Sequence, residues 1–470
     1  MFNNQYKKIL LIACLLASGC TKFVAVDEPI DTITAEAAFD TETKAASVVR
    51  GLYNNMVKTT NYAFGAAVSI GPGASADELI VSSATSAYAD LYNNNINSSN
   101  TAITGYYWGA FYNLIYVANQ VIENVPKSTG ISAEAKIQFL AEARFIRAVN
   151  YFYLINLYGD VPLIVSTDYV TNNKIPRTPM AQVYKQIEED LQYAHTNLGE
   201  SYIGTQRIRA NRFAAAAFLA RVYLYQKNWT DAALMATEVI EAQSGGTPLY
   251  HLETALNNVF LLTSKEVILQ LMNPGTTVST WDGAAFVPGT ATTVPNYQIT
   301  PGLYSAFPAG DLRLANWIKS VNITTAGVTT TYSYPYKYKV ISGTSTVKTE
   351  ALVFLRLAEM YLIRAEARAE NSDLGNAIKD LDAIRSRAGL LTPTDPAITQ
   401  SDLLDAIARE RRLEMFAELG HRWLDLKRTD KANIILKDKP NWTTYDQLYP
   451  IPFADRQANP LIKQNDGYDL

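Results

Sequence analysis

The stretch IQFLAEARFIRAVNYFYLINLYGDVPL, residues 137–163, decides the fold. Within it Ile137, Ala141, Phe145, Ala148, Phe152 and Ile155 recur at spacings of four, four, three, four and three, the period of one helix face. Leu140, Ile146 and Val149 between them are apolar as well, so the predicted helix is buried on several sides. Gly159, with Pro162 beyond it, is a helix stop. A second helical segment, Trp108 to Val125, precedes this one and ends before Pro126.

Similar patterns recur further along. Segment 208–243 holds two helical runs broken by Lys227-Asn228-Trp229, and Ala220, Tyr223 and Ala232 fit the small, aromatic and small positions of a tetratricopeptide unit. Segment 352–387 repeats the spacing with Ala365 and Ala377, broken near Asn371-Ser372-Asp373, with Arg368 replacing the aromatic. Ala148 and Tyr151 open a third unit, whose second helix is predicted at 179–198. Small residues let paired helices approach closely. The expected fold is mainly α: a tetratricopeptide-like helical-repeat platform with an irregular, loop-rich lobe and a few short strands. The platform takes 33–56, 106–272 and 349–430, and an extended tail takes 431–470.

Two segments break the periodicity and supply the lobe. Residues 57–105 are rich in Gly, Ser, Asn and Ala, with Tyr62, Tyr88 and Tyr92 embedded. Residues 273–348 are rich in Thr, Gly and Pro and carry Trp281, Phe286, Tyr297 and Trp317. There the Tyr332/Tyr334/Tyr336/Tyr338 alternation predicts a short strand or hairpin with one face lined by tyrosines. Long irregular segments in a compact protein are usually functional.

Composition narrows the ligand. The net charge is −4, from 41 Lys+Arg and 45 Asp+Glu, so no basic surplus exists to neutralise nucleic-acid phosphates. The surplus lies in 29 tyrosines and in tracts of Asn, Ser and Thr, which suit uncharged polar ligands. A sugar ring exposes a C–H face that stacks on an aromatic ring, and amides or carboxylates bind its hydroxyls. Tyr88, Tyr92, Trp281 and Tyr297, with Asp77, Asn93 and Asn94, fit that chemistry. Trp108, Tyr112, Trp229 and Trp423 fall within helical periodicity and read as core.

No cofactor is implied, and no catalytic residue is assigned. His195, His251 and His421 are scattered without metal-ligand spacing, so no metal site is expected. Glu410, Glu414 and Glu418 lie four apart, but neighbours on one helix cannot flank a glycosidic bond. Ion pairs with the nearby Arg411, Arg412, Arg422 and Arg428 explain them more simply.

The N-terminus reads as a processing signal. Lys7 and Lys8 precede the apolar run Ile9 to Ala17, which is too short to span a bilayer. Ala17, Ser18 and Gly19 then lead into Cys20, the pattern of a bacterial lipobox. Residues 1–19 are thus expected to be a lipoprotein signal peptide, Cys20 the lipidated residue and 20–32 a tether.

Four markers in fixed order carry a family resemblance. They are Ala141–Ala148 running on to Tyr158-Gly159-Asp160-Val161-Pro162-Leu163; the block Glu410–Glu414 through Gly420–Arg428; and Tyr449-Pro450-Ile451-Pro452, then Asn459-Pro460 with Gln464-Asn465-Asp466-Gly467-Tyr468; the lipobox cysteine completes the set. Together they resemble the SusD/RagB family of Bacteroidetes nutrient-binding lipoproteins. The resemblance implies a non-catalytic, lipid-anchored protein in the outer leaflet of the outer membrane. Such a protein binds oligosaccharide or polysaccharide and delivers it to a SusC-like TonB-dependent transporter. By position, Asp77 matches an Asp of the family's sugar platform, with Tyr88 or Tyr92 supplying a ring and Trp281 and Tyr297 in the second segment. Two other readings stay open: a helical scaffold binding peptide or protein, and a cryptic glycoside hydrolase.

Overall fold

In the computed structural model, which describes residues 35–276, 278–341 and 348–468, the stretch that opened the sequence lies in one helix, Ala133–Tyr158. The expected lipidation site Cys20 and the tether lie outside the described residues. Ser132 caps this helix, its hydroxyl accepting the Ala135 N–H at 3.3 Å. Gly159 ends it at φ +73°, a left-handed conformation that glycine adopts at least cost. Every residue from Phe145 to Ile155 is buried. That includes Arg147, whose fork grips Asp190 at 2.7 and 2.8 Å while its third nitrogen donates to Asn119 at 2.8 Å.

Helices then stack in chain order, each against the next. Ala110–Asn124 packs on Ala133–Tyr158, followed by Met180–Asn197, Arg212–Tyr225, Trp229–Ile240, Leu357–Glu370 and Leu374–Arg387, with Gln400–Met415 closing the row. Buried Ala214, Ala215, Ala216, Ala217 and Ala220 on one helix, and Ala232 and Ala236 on the next, permit the close approach. The break between them is sharp because Lys227 turns back at φ +59° and Asn228 caps Trp229–Ile240. The tetratricopeptide-like, mainly α fold is therefore observed.

Three local expectations need correction. Segment 352–387 does not begin as a helix: Leu352–Arg356 is a fully buried strand, antiparallel to Val267–Leu271, and the helix starts at Leu357. Trp108 lies in a π-helical turn, Ala102–Gly109, and the α-helix starts only at Ala110. Segment 57–105 is less irregular than its composition suggests, since Ala67–Ser75 is a wholly buried helix. Its small residues are the reason: a Cβ on Gly71 would sit 1.8 Å from the Tyr107 hydroxyl, so only glycine lets that helix seat.

The second lobe segment holds an antiparallel hairpin, Ile318–Thr325 with Val328–Pro335, in register Val321↔Tyr332. Ala326 and Gly327 turn it at φ +49° and +82°, the two positive values of a tight hairpin turn. The tyrosine face turns inward rather than towards solvent. Tyr334 is buried edge-on to Tyr336 where the hairpin packs on Tyr297–Ile299, and just beyond the hairpin the buried Tyr338 hydroxyl accepts the Val353 N–H at 2.8 Å.

Lobe and platform join through buried ion pairs. Arg313 Nη1 lies 2.6 Å from Glu410 and 3.0 Å from Glu414; Arg356 lies 2.6 Å from Glu414 and 2.9 Å from Glu418; Lys337 also binds Glu418. The three glutamates are thus structural, but their partners come from the lobe, the platform's strand and, through Arg385 and Arg387, the helix Leu374–Arg387 rather than from adjacent arginines. Glu418 is not on the helix face at all, since that helix ends at Met415. Burial raises the Glu414 pKa, yet Arg387, Arg356 and Arg313 outweigh it and hold the carboxyl well below the usual range.

Candidate functional site

Strand Leu79–Val81 pairs antiparallel with Tyr297–Ile299, which sets Tyr297 opposite Val81. This pairing ties the two lobe segments together and brings their aromatics to one place. The Tyr297 ring meets Tyr88 edge-on at 6.0 Å, and Tyr88 lies 5.8 Å from Tyr106. Phe286, at the end of helix Trp281–Phe286, closes on the other edge of Tyr297 at 6.0 Å.

Tyr88 is the floor of this cluster and not its face. It is 2 % exposed, and its hydroxyl donates to Asn61 at 3.2 Å. Burial first, then the neighbouring Tyr297 and Tyr106, push its phenol pKa well up, so it stays a neutral donor. Tyr106 and Tyr297 are half-buried and Asn61 is exposed around it. The Ser86 hydroxyl hydrogen-bonds with Tyr297, whereas Ser82 and Gln298, 2.7 Å apart, project from the opposite face of the strand pair because successive side chains along a strand alternate. The half-buried Tyr62 stands next to Asn61, with Lys58 over its ring at 4.3 Å. Aromatic rings with one open face, set among neutral amides and hydroxyls, provide stacking and hydrogen bonding together.

The other expected residues are placed differently. Trp281 is half-buried near Gly65, and its indole N–H donates to the Val57 carbonyl at 2.8 Å, so the ring is locked in orientation. Asp77 is committed to two cations: Arg422 grips it at 2.7 and 3.1 Å, and Arg412 at 2.7 Å. Burial alone raises the Asp77 pKa, but the Arg422 hydrogen bonds and charge, helped by Arg412, bring it below the ordinary value. Tyr92, Asn93 and Asn94 dock the tail. Asn94 is buried and donates to the Pro440 carbonyl at 2.8 Å, while Asn441 donates to the Asn93 carbonyl at 2.9 Å. Lys439 lies 5.2 Å from the Tyr92 ring centre and donates to Ala74, Ser75 and Ala76 at the end of the buried lobe helix.

Sequence reasoning named Tyr88 and Tyr297 and missed Asn61, Tyr106 and Ser86. Tyr106 sits in the run Gly105-Tyr106-Tyr107-Trp108, which reads as core because its neighbours are core. Neighbours on a helical turn point in different directions, and in Ala102–Gly109 Tyr106 is half-buried while Tyr107 is buried.

Comparison with known proteins follows the same lines. A family model described as "SusD family" matches residues 310–468, and one described as "Starch-binding associating with outer membrane" matches 22–224. SusD-like protein P25 of Formosa agariphila is 24 % identical, over 97 % of this chain and 97 % of its own. The starch-binding protein SusD of Bacteroides thetaiotaomicron is 23 % identical, over 73 % of this chain and 75 % of its own. A solved laminarin-binding SusD-like protein superposes with a TM-score of 0.76 at 26 % identity, covering 92 % of this chain and all of that one.

Proposed function

The chain belongs to the SusD/RagB family, and from that premise we propose that it is a non-catalytic, lipid-anchored receptor at the outer membrane that binds a neutral oligosaccharide. It passes this ligand to a SusC-like TonB-dependent transporter. The observation that carries the ligand class is the patch in which Tyr106 and Tyr297 flank the buried Tyr88, with the Asn61 amide and the Ser86 hydroxyl beside them. Those groups are uncharged, so they favour hydroxyl-rich ligands over ionic ones. Trp281 and Tyr62 extend the aromatic surface on the Gly65 side. Asp77 supports the patch from behind, through Arg412 and Arg422, rather than by touching sugar. Among the described residues, no helix is long and apolar enough to cross a membrane.

A glycan-array screen, followed by calorimetry on any hit, tests the reading. Aromatic contacts typically contribute about 0.5–1.5 kcal/mol beyond area burial, so Tyr106→Ala and Tyr297→Ala each weaken binding roughly two- to tenfold. Unchanged affinity in both variants would place the site elsewhere, and turnover of the hit by purified protein would overturn the non-catalytic assignment.

A further inference from the structure

Asp77 and Glu78 join three parts of the molecule at once. Their backbones face the second lobe segment: the Thr300 hydroxyl donates to the Asp77 carbonyl at 2.7 Å, and the Thr300 N–H donates to the Glu78 carbonyl at 2.9 Å. Strand Leu79–Val81 follows at once and pairs with Tyr297–Ile299, so these two residues set one end of the pair that carries Tyr297. Their side chains reach the platform instead. Arg412 and Arg422 hold Asp77, whereas Glu78 Oε2 accepts the Ala417 N–H at 3.2 Å.

The turn that Glu78 reaches is strained. Ala417 and Leu419 sit at φ +53° and +46°, left-handed values that crowd a Cβ against the backbone. Every residue of Ala417–Gly420 is held from outside. Glu78 takes the Ala417 N–H, Glu418 binds Arg356 and Lys337, and the Leu419 N–H donates to the Ser69 hydroxyl at 3.2 Å. A Cβ on Gly420 would sit 2.8 Å from Pro72, so the turn lies directly on the buried helix Ala67–Ser75. Glu78 is the side chain that ties this turn to the strand pair.

It does so with half of its carboxyl. Glu78 is 1 % exposed, and its Oε1 has no hydrogen-bond partner among the described residues. The charges around it are already committed. Arg412 and Arg422 pair with Asp77, Glu418 with Arg356 and Lys337, and Lys439 donates to the carbonyls of Ala74, Ser75 and Ala76. His421 lies against Arg411, and the buried Asp282 meets the Ser69 hydroxyl. Helix Ala67–Ser75 carries no charged residue, and strand Tyr297–Ile299 brings only a phenol. Burial first, then the Asp77 charge, raises the Glu78 pKa from 4.5 to about 8, with the Ala417 hydrogen bond and the two arginines opposing.

We propose that Glu78 is a positioning residue for the aromatic patch: neutral, it locks the strand pair under Tyr297 onto the Ala417–Gly420 turn, and ionisation releases that lock. The lock rests on the glycan reading only for what Tyr297 meets, and it is measured without glycan, so the two fail separately. The folded pKa lies above the unfolded one, so the lock is fully present at low pH and is lost as pH rises through about 8. With the carboxyl at 4.5 when opened and about 8 when closed, an opening that exposes Glu78 becomes about 30-fold more populated from pH 6.5 to pH 9.

Hydrogen–deuterium exchange read by mass spectrometry tests this on peptides spanning 77–83 and 295–302, as protection factors corrected for intrinsic rates. Glu78→Gln keeps an acceptor for the Ala417 N–H and cannot ionise. It is expected to match the wild type at pH 6.5, and between pH 6.5 and pH 9 the wild type loses at least tenfold more protection than the variant. Helix Arg212–Tyr225 changes equally in both proteins. Glu78→Ala lacks the acceptor and loses protection in the two lobe peptides already at pH 6.5; should it fail to fold, the comparison of wild type with Glu78→Gln decides. The same pH dependence in wild type and Glu78→Gln, or full protection in Glu78→Ala, overturns the proposal. An equal extra loss in Arg212–Tyr225 overturns it too, since Glu78 would then prop the whole fold rather than the patch.

Discussion

Asp282 offers the most quantitative test of how the lobe is built. It is 1 % exposed in helix Trp281–Phe286, and neither carboxylate oxygen has a hydrogen-bond partner in good geometry among the described residues. Burial pushes its pKa from 3.8 to about 7, moderated by the nearby Ser69 hydroxyl. The folded pKa therefore lies above the unfolded one. Between those values the native state binds more protons than the unfolded state, so stability is fully present below about pH 4 and falls as pH rises to about 7. Three pKa units at 1.36 kcal/mol each give a loss of about 4 kcal/mol by pH 8. Asp282→Asn cannot ionise and escapes that loss. Relative to wild type, the variant is expected to gain about 2–4 kcal/mol between pH 4.5 and pH 8.5 in urea unfolding followed by circular dichroism. The comparison must be between the two proteins at each pH, because the buried Glu78, raised to about 8, imposes a similar slope on both. A difference between variant and wild type that stays constant within 1 kcal/mol across this range would refute the reasoning.

Three further outcomes follow from burial and pairing. Trp423 is fully buried and stacked on Tyr449 at 6.3 Å, so Trp423→Ala costs about 3–5 kcal/mol in denaturant unfolding without a specific change in glycan affinity. Arg356→Met takes one buried cationic partner from Glu266, Glu414 and Glu418 at once and lowers stability by about 3–5 kcal/mol, read by the same assay. Mass spectrometry of the N-terminal peptide from the native host is expected to show an acylated Cys20, and an unmodified peptide there would remove the proposed anchor.

The helical platform was legible in the chain because its signals are local. Apolar periodicity across 137–155, the stop at Gly159 and the break at Lys227-Asn228-Trp229 each involve residues a few positions apart, and each appears in the structure where it was expected. The paired alanines and the family markers carry the repeat architecture in the same way. The lobe was legible only as a departure from that rhythm. Whether Tyr88 faces solvent depends on Tyr297, more than two hundred positions away and brought alongside by a three-residue strand pair. Asp77 looks like a sugar ligand until Arg412 and Arg422 close on it. Glu410 and Glu414 look like partners of adjacent arginines until Arg313 and Arg356 arrive from other elements. The physical reason is common to all three. Backbone periodicity is set by neighbours in sequence. Which charged or aromatic side chain is spent on the interior, and which is left for a ligand, is set by desolvation and by partners that only the folded chain brings together.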